Sequence, residues 1–516
     1  MNKFIALIVG SSLLLAAMIF LLVRNDQSTS ITNANGEAAE PLVLFCAASN
    51  RAVMEAIRSD YEAEFNRPLQ IQYGPSQTLL SSIEVSKTGD LFLPADDSYL
   101  AMASDKELVA EIIPVAKMQA VVAVRKGNPK SITQFDDLLS KDARFIQANP
   151  DAAAVGKLTR NVLSKVGLWK KLDDATTATH TTVTDVARDI DVGAADAGIV
   201  FDAVLHTFDG VDFVELPELA DAQANISVGV IASSKQPQAA LHFARYAAAI
   251  DRGMKRYEEF GFRVDGKESW GDIPELNIFA GSMLRPAIED TIAAFESREG
   301  IRVNRVYNGC GILVGQMKAG QHPDAYFACD SEFMDQVTDL FPERVDVSEN
   351  ELVILVQKGN PNNITTLKDL TRKGLRVGVG HEKQCAMGWL TQKTFREGGI
   401  QTKVMDNVTV QSPTGDMLVN QLQAGSLDAA VAYLSNAAGA AEFLDAYPIT
   451  GISCSTATQP WAVATDSKYP ETASRLFQKI CSAKSQDDFA AEGFRWKLQT
   501  VNTTKTLPGK DPETEE

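Results

Sequence analysis

The chain has 516 residues and a formal net charge of −18 at pH 7, from 67 acidic against 49 basic residues. An acidic chain without a basic stripe is a poor match for a phosphate backbone, which excludes nucleic-acid binding as its main function. The length allows more than one complete fold, each with its own core.

Residues 1–25 open the chain with Phe4–Val23, an uncharged apolar run preceded by Lys3. About 20 such residues span a bilayer. The run is longer than the apolar region of a typical cleaved signal, and no small-x-small site follows it. A membrane anchor is therefore expected, with a cleaved signal as the alternative. Both export the rest of the chain, either tethered to the inner membrane or secreted. Residues 26–40 are polar and read as a flexible tether.

The predicted elements then follow in order. "LVLFCAAS" reads as a buried strand ending at Ser49, and Val53, Ile57, Tyr61 and Phe65 mark one face of the helix after it. "LQIQYG" is a second strand, and "GPSQTLL" starts a helix at Ser76. "DLFLPAD" is a third short strand. "VVAVRKGNPKSITQFDDL" is strand, turn and helix, with Thr133 and Asp136 as the helix start or a register one residue away. "ARFIQANP" and "AADAGIVFDA" each contain one more buried strand.

The order then repeats. "LNIFAGS" ends at Ser282, and Ile288, Ile292 and Phe295 form the next helix face. "IRVNRVYNG" leads to Cys310, "DAYFACD" answers "DLFLPAD", and "VILVQKGNPNNITTLKDL" answers the strand-turn-helix phrase, with Thr366 and Asp369 at its helix start. "LRVGVGHE" and "LDAAVAYLSNA" complete the set. The separation between partners is constant to within two residues along the whole chain. Solenoid repeats have periods of roughly 20–50 residues, so this is a duplication of a whole domain. The units are residues 41–265 and 275–498, joined by the polar "DGKESWGDIPE", and an acidic tail expected to be disordered fills 499–516. Strands alternating with helices predict a parallel α/β sheet in each unit.

In such sheets ligands bind beyond the carboxyl ends of strands, where helix N-termini offer free N–H groups to anions. Ser49, Ser76, Ser282 and Cys310 all stand at such places; each also reads as a plain helix cap. Asp90, Asp96, Asp324 and Asp330 read as caps of turns and helices at the same edge. The chain has five His and no HExxH, GxSxG or Walker A pattern, so no enzyme is expected. It has six Cys without a CxxC, and their pairing cannot be read from spacing.

The run "FCAAS…GPSQTL…DLFLPAD…VVAVRKGNP…GIVF" resembles the molybdate-binding component of oxyanion ABC transporters, and "IFAGS…DAYFACD…VILVQKGNP…AVAY" resembles a second, diverged copy. The resemblance implies two tandem bilobal units of the type II periplasmic-binding-protein fold. It implies a molybdate or tungstate ligand between the lobes, no cofactor, and an ABC permease as partner. In that family the oxyanion is held by two Ser hydroxyls, two backbone N–H groups and a Tyr hydroxyl. Unit 1 supplies Ser49, Ser76 and the amides near Val155 and Val186, with Phe201 at the Tyr position. Unit 2 supplies Ser282, the amides near Met387 and Gly415, and Tyr433, with Cys310 at the second Ser position. Two further readings stay open. Cys310, His381 and Cys385 could take a soft metal, or Cys310 and Cys385 a disulfide. The clefts could instead belong to a sensor or scaffold that no longer binds.

Overall fold

The computed structural model describes residues 40–140 and 142–498. The expected membrane segment, most of the tether and the acidic tail lie outside the described residues. Among the described residues no helix is long and apolar enough to cross a membrane.

Unit 1 starts with β1 (Leu42–Ala47), parallel to β2 (Leu69–Gly74) and β3 (Leu91–Leu93). Helix α1 (Arg51–Phe65) connects β1 to β2 and buries Val53, Met54, Ile57 and Tyr61, so its 3–4 spacing lays one face on the sheet. It stops at Asn66, in the left-handed region at φ 54; the unit 2 counterpart is Gly300 at φ 67. Each of these residues turns its N–H back to a carbonyl of the last turn, a common helix stop. Helix α2 (Ser76–Ser86) follows β2.

The long strand β4 (Val109–Arg125) carries the chain from the first lobe to the second. In the second lobe it meets β5 (Phe145–Ala148), β6 (Ala178–His180), β7 (Ala197–Phe201) and β8 (Val211–Val214), with α3 (Ala154–Lys165) and α4 (Val183–Asp191) between them. Strand β9 (Gln223–Ile231) brings the chain back, and α5 (Pro237–Ala248) covers the first lobe. The order is β2-β1-β3-β9-β4-β7-β5-β6, with β8 also on β4. Up to Gln119, β4 pairs with β9; from Ala120 it pairs with β7, both antiparallel. The expected all-parallel sheet is therefore corrected to a mixed one. A strand that leaves a lobe and a strand that returns to it must run in opposite directions.

Unit 2 repeats this plan with β10 (Glu275–Gly281), β11 (Arg302–Asn308), β12 (Ala325–Phe327), β13 (Arg344–Gln357), β14 (Val377–Gly380), β15 (Val408–Ser412), β16 (Ala429–Tyr433), β17 (Leu444–Pro448) and β18 (Thr456–Val463), in the order β11-β10-β12-β18-β13-β16-β14-β15. Its helices include α6 (Arg285–Glu299), α7 (Cys310–Lys318), α8 (Ala386–Glu397), α9 (Gly415–Gln423) and α10 (Pro470–Ile480). Strand β13 changes partner between Glu351 and Leu352, as β4 does between Gln119 and Ala120. The pairing registers thus equate residues of the two units one by one.

The repeated Lys-Gly-Asn-Pro phrase is scaffold. Asn128 and Asn360 both sit at φ 46, and each side chain bonds both the N–H and the carbonyl of the residue four further on, Ile132 or Ile364. In the second copy Asp369 accepts from the Thr366 N–H, as expected. In the first copy the acceptor is Asp137, one residue after the expected Asp136.

The two units are locked by buried charge. The Glu299 carboxylate at the end of α6 takes Arg475 from α10 at 2.8 and 3.1 Å and Arg245 from α5 at 3.1 Å; Arg245 also donates to the Glu299 carbonyl at 2.7 Å. Beside this triad, Arg298 clasps Glu111 of β4 at 2.5 and 2.8 Å.

Candidate functional site: the interlobe clefts

In unit 1, Ser49 lies in the short turn Ala48–Asn50 after β1, and Ser76 is the first residue of α2; both are buried. The Ser76 Oγ accepts the Ala95 N–H at 3.1 Å. A hydroxyl that accepts one bond keeps its proton to donate to a second partner. The opposite wall is made by two helix starts. Val155 is the second residue of α3, where N–H groups have no partner inside the helix. Helix α4 begins at Val183 behind Thr182, whose Oγ1 accepts the Asp185 N–H at 3.2 Å. Val186 stands one turn inside α4 and is fully buried. Gly415, by contrast, is the first residue of α9, so its unit 1 equivalent is Val183.

Two contacts bring these walls together. Thr184 Oγ1 donates to the Ala48 carbonyl at 3.4 Å, beside Ser49. Lys157, two residues after Val155, reaches across to Ser98 Oγ at 3.2 Å and lies 4.7 Å above the Tyr99 ring. Sequence reasoning missed Lys157. The one available signal was a cation within the first turn of a helix that was expected to face an anion.

The expected capping role is seen for Asp96 and Asp330, whereas Asp90 and Asp324 stand before β3 and β12, at the opposite end of the sheet, and bond the neighbouring strand. Asp90 accepts the Val43 N–H at 2.9 Å and Asp324 the Asn277 N–H at 2.8 Å. Asp96 accepts the Ser98 N–H at 3.0 Å and Asp330 the Glu332 N–H at 2.9 Å. Burial pushes the neighbouring Asp97 up to about 7, against the pull of its bond from Ser227.

Phe201 ends β7 and is fully buried. Its face of the sheet also carries Met118 and Ile226, so the floor there is apolar. Phe201→Tyr places a hydroxyl on this floor. We expect the unliganded protein to lose about 1–3 kcal/mol, the cost of a buried donor without a partner, and oxyanion affinity to rise. Melting and titration of the same variant check both signs.

Unit 2 places Ser282 and Cys310 where unit 1 has Ser49 and Ser76. The Cys329 N–H points at Cys310 Sγ at 3.0 Å, just as the Ala95 N–H points at Ser76. Cys329 occupies the Ala95 position, and the two sulfurs form a disulfide with Cα atoms 6.4 Å apart. Cys310 is thus joined to Cys329, not to Cys385. A disulfide sulfur has no proton to donate, so this position has lost its donor.

Cys385 is a buried free thiol before α8. Burial pushes it up to about 11, while the Gly388 and Met387 N–H groups pull it down. His381 is half-buried and accepts the Lys383 N–H at 3.3 Å. The soft-metal trio is not assembled: Cys310 is committed to its disulfide, and among the described residues no group of three His, Cys, Asp or Glu is placed to hold a metal ion. The Gly311 N–H donates across the cleft to the Gln384 carbonyl at 3.1 Å, and the Gly309 and Gly311 backbones press so closely on Gln384, Pro413 and Lys383 that a Cβ at either glycine would collide. Tyr433 ends β16, buried, with no partner for its hydroxyl.

Each unit thus has two lobes, two crossing strands and helix starts facing a cleft. The model of the bacterial extracellular solute-binding proteins matches the chain twice, over residues 42–263 and 276–495. The chain belongs to that family. The family match, once per unit, makes the chain a tandem duplication of a solute-binding protein. It is 25% identical over 231 residues to the molybdate-binding protein ModA of Mycobacterium tuberculosis, covering 44% of this chain and 85% of that protein. It is also 25% identical over 230 residues to ModA of Escherichia coli, covering 40% of this chain and 89% of that one. Among solved structures, the periplasmic molybdate-binding protein of Azotobacter vinelandii is similar at 17% identity and a TM-score of 0.40, over 43% of this chain and 99% of that one.

Proposed function

We propose that this solute-binding protein captures a tetrahedral oxyanion of the molybdate and tungstate class in the cleft of unit 1. The capture takes place outside the cytoplasm and serves delivery to an ABC permease. The carrying observation is the pair Ser49 and Ser76, buried at two strand ends opposite two helix starts. Neutral hydroxyls and amides replace the hydration shell of a dianion with fixed dipoles, and the positive ends of α3 and α4 favour the charge. Lys157 adds a full charge and bridges the lobes as they close. The molybdate-binding relatives support this reading. In it Phe4–Val23 is the membrane tether, and neither cleft performs a catalytic step.

Thermal melting with molybdate, tungstate, sulfate and zinc, added separately, tests it. A ligand at a hundred times its Kd stabilises by about 2.7 kcal/mol. Molybdate and tungstate are expected to raise the melting temperature and zinc to leave it unchanged. A rise with zinc and none with molybdate or tungstate contradicts the oxyanion reading.

A further inference from the structure

The two clefts have opposite floors. In unit 1 the shared face of β4, β9 and β7 carries Ala116, Met118, Ile226 and Phe201. The same register positions in unit 2 are Ser348, Asn350, Gln459 and Tyr433. All eight residues are at most 5% exposed, so an apolar floor in one unit is a buried polar floor in the other. Part of the polar floor is satisfied internally. Ser348 Oγ donates to Gln459 Oε1 at 2.9 Å, and Gln459 Nε2 donates to the Cys329 carbonyl at 3.1 Å. The last bond ties the Gln459 end of the floor to the backbone of a disulfide residue.

The rest is open. Neither the Nδ2 nor the Oδ1 of Asn350 has a protein partner, and neither does the Tyr433 hydroxyl. Buried polar groups are normally paired, so three open atoms on one face point to a ligand with matching groups. Tyr433 pairs with Leu352, the first residue of β13 after its change of partner, so it stands where the chain crosses between the lobes.

The open set is mixed. Tyr433 Oη and Asn350 Nδ2 donate, while Asn350 Oδ1 accepts. A fully deprotonated dianion offers only acceptors. It leaves Asn350 Oδ1 unpaired. A tetrahedral oxyanion that still carries a proton takes the donors with its bare oxygens and gives its O–H to an acceptor. Resting on the reading of both clefts as oxyanion sites, we propose that unit 2 takes a proton-bearing tetrahedral oxyanion, of which monohydrogen phosphate is the simplest, while unit 1 takes the fully deprotonated kind. The altered wall agrees with this division. The Cys310–Cys329 disulfide removes one donor of the set that holds a bare dianion.

The test is calorimetric titration of the full chain with inorganic phosphate, sulfate and molybdate at one neutral pH. Phosphate and sulfate have nearly the same size and differ in the proton. Phosphate is expected to bind at unit 2, and sulfate is expected not to compete for that site. Asn350→Met installs the unit 1 residue, and Tyr433→Phe removes one oxygen. Each is expected to weaken phosphate about tenfold or more and to leave molybdate unchanged, while Ser76→Ala does the reverse. Melting curves confirm that the variants are folded; Tyr433→Phe is the milder change if Asn350→Met is not. Sulfate competing with phosphate for its site, or phosphate affinity unchanged in the folded variants, overturns the inference. If molybdate binds through Ser76 and phosphate does not bind, the inference falls and the reading of unit 1 stands. If neither anion binds, the oxyanion reading of the whole chain falls with it.

Discussion

Glu299→Ala is expected to destabilise the chain by about 3–5 kcal/mol, the range for breaking a buried ion pair from one side. Glu299 is 1% exposed and is the shared partner of Arg245 and Arg475. Its removal leaves two guanidinium groups buried at the junction of the units without a counter-charge. Replacing all three residues by apolar ones of similar volume is expected to recover much of the loss, because the desolvation cost goes with the charges. Denaturant unfolding of the single and triple variants measures both. The pH dependence has a definite sign. Burial raises the Glu299 carboxyl, but Arg475 and Arg245 outweigh it and hold the group below its ordinary value. A carboxyl depressed in the folded state contributes stability above its unfolded value of about 4.3 and loses it as pH falls through the folded value. The gap between wild type and Glu299→Ala is therefore expected to be full at neutral pH and to close in acid.

Ser76→Ala is the second large effect, and it acts on binding. A hydrogen bond to a charged group contributes about 1.5–3 kcal/mol, so oxyanion affinity in unit 1 is expected to fall by roughly tenfold to a hundredfold. The change also strips the buried Ala95 N–H of its acceptor, so a smaller loss of stability accompanies it. Unchanged affinity in a folded Ser76→Ala variant makes the serine a cap of α2 and nothing more. Unit 2 already carries a related substitution, since the disulfide at Cys310 keeps the acceptor for the Cys329 N–H and has no proton to give.

Local grammar made much of this fold legible. The apolar runs, the Lys-Gly-Asn-Pro turn and the constant separation were enough to define the two units, and the strand-Ser-helix openings marked the cleft edges. Long-range pairing was not legible. Only the end of β4, "VVAVR", reads as a continuous buried strand. Its first part alternates because one face is solvated, so the crossing between lobes and the mixed sheet stayed hidden. Lys157 was passed over because a lysine on a helix usually faces water, and its partners Ser98 and Tyr99 belong to the other lobe. The Cys310–Cys329 pair was missed although the repeat already set Cys310 against Ser76 and Cys329 against Ala95. Spacing alone does not say that these positions touch; the Ser76–Ala95 bond does. The polar floor of unit 2 was invisible because Ser348, Asn350 and Gln459 lie on two strands more than a hundred residues apart.

Calorimetric titration of the full chain with sodium molybdate, run on the wild type and on Ser49→Ala/Ser76→Ala, tests the central claim most directly. The expected result is saturable binding by the wild type at one site per chain, lost or weakened at least tenfold in the double variant with the fold intact. No saturable heat from the wild type, or the same affinity in both proteins, contradicts the claim that the serine pair of unit 1 holds the oxyanion.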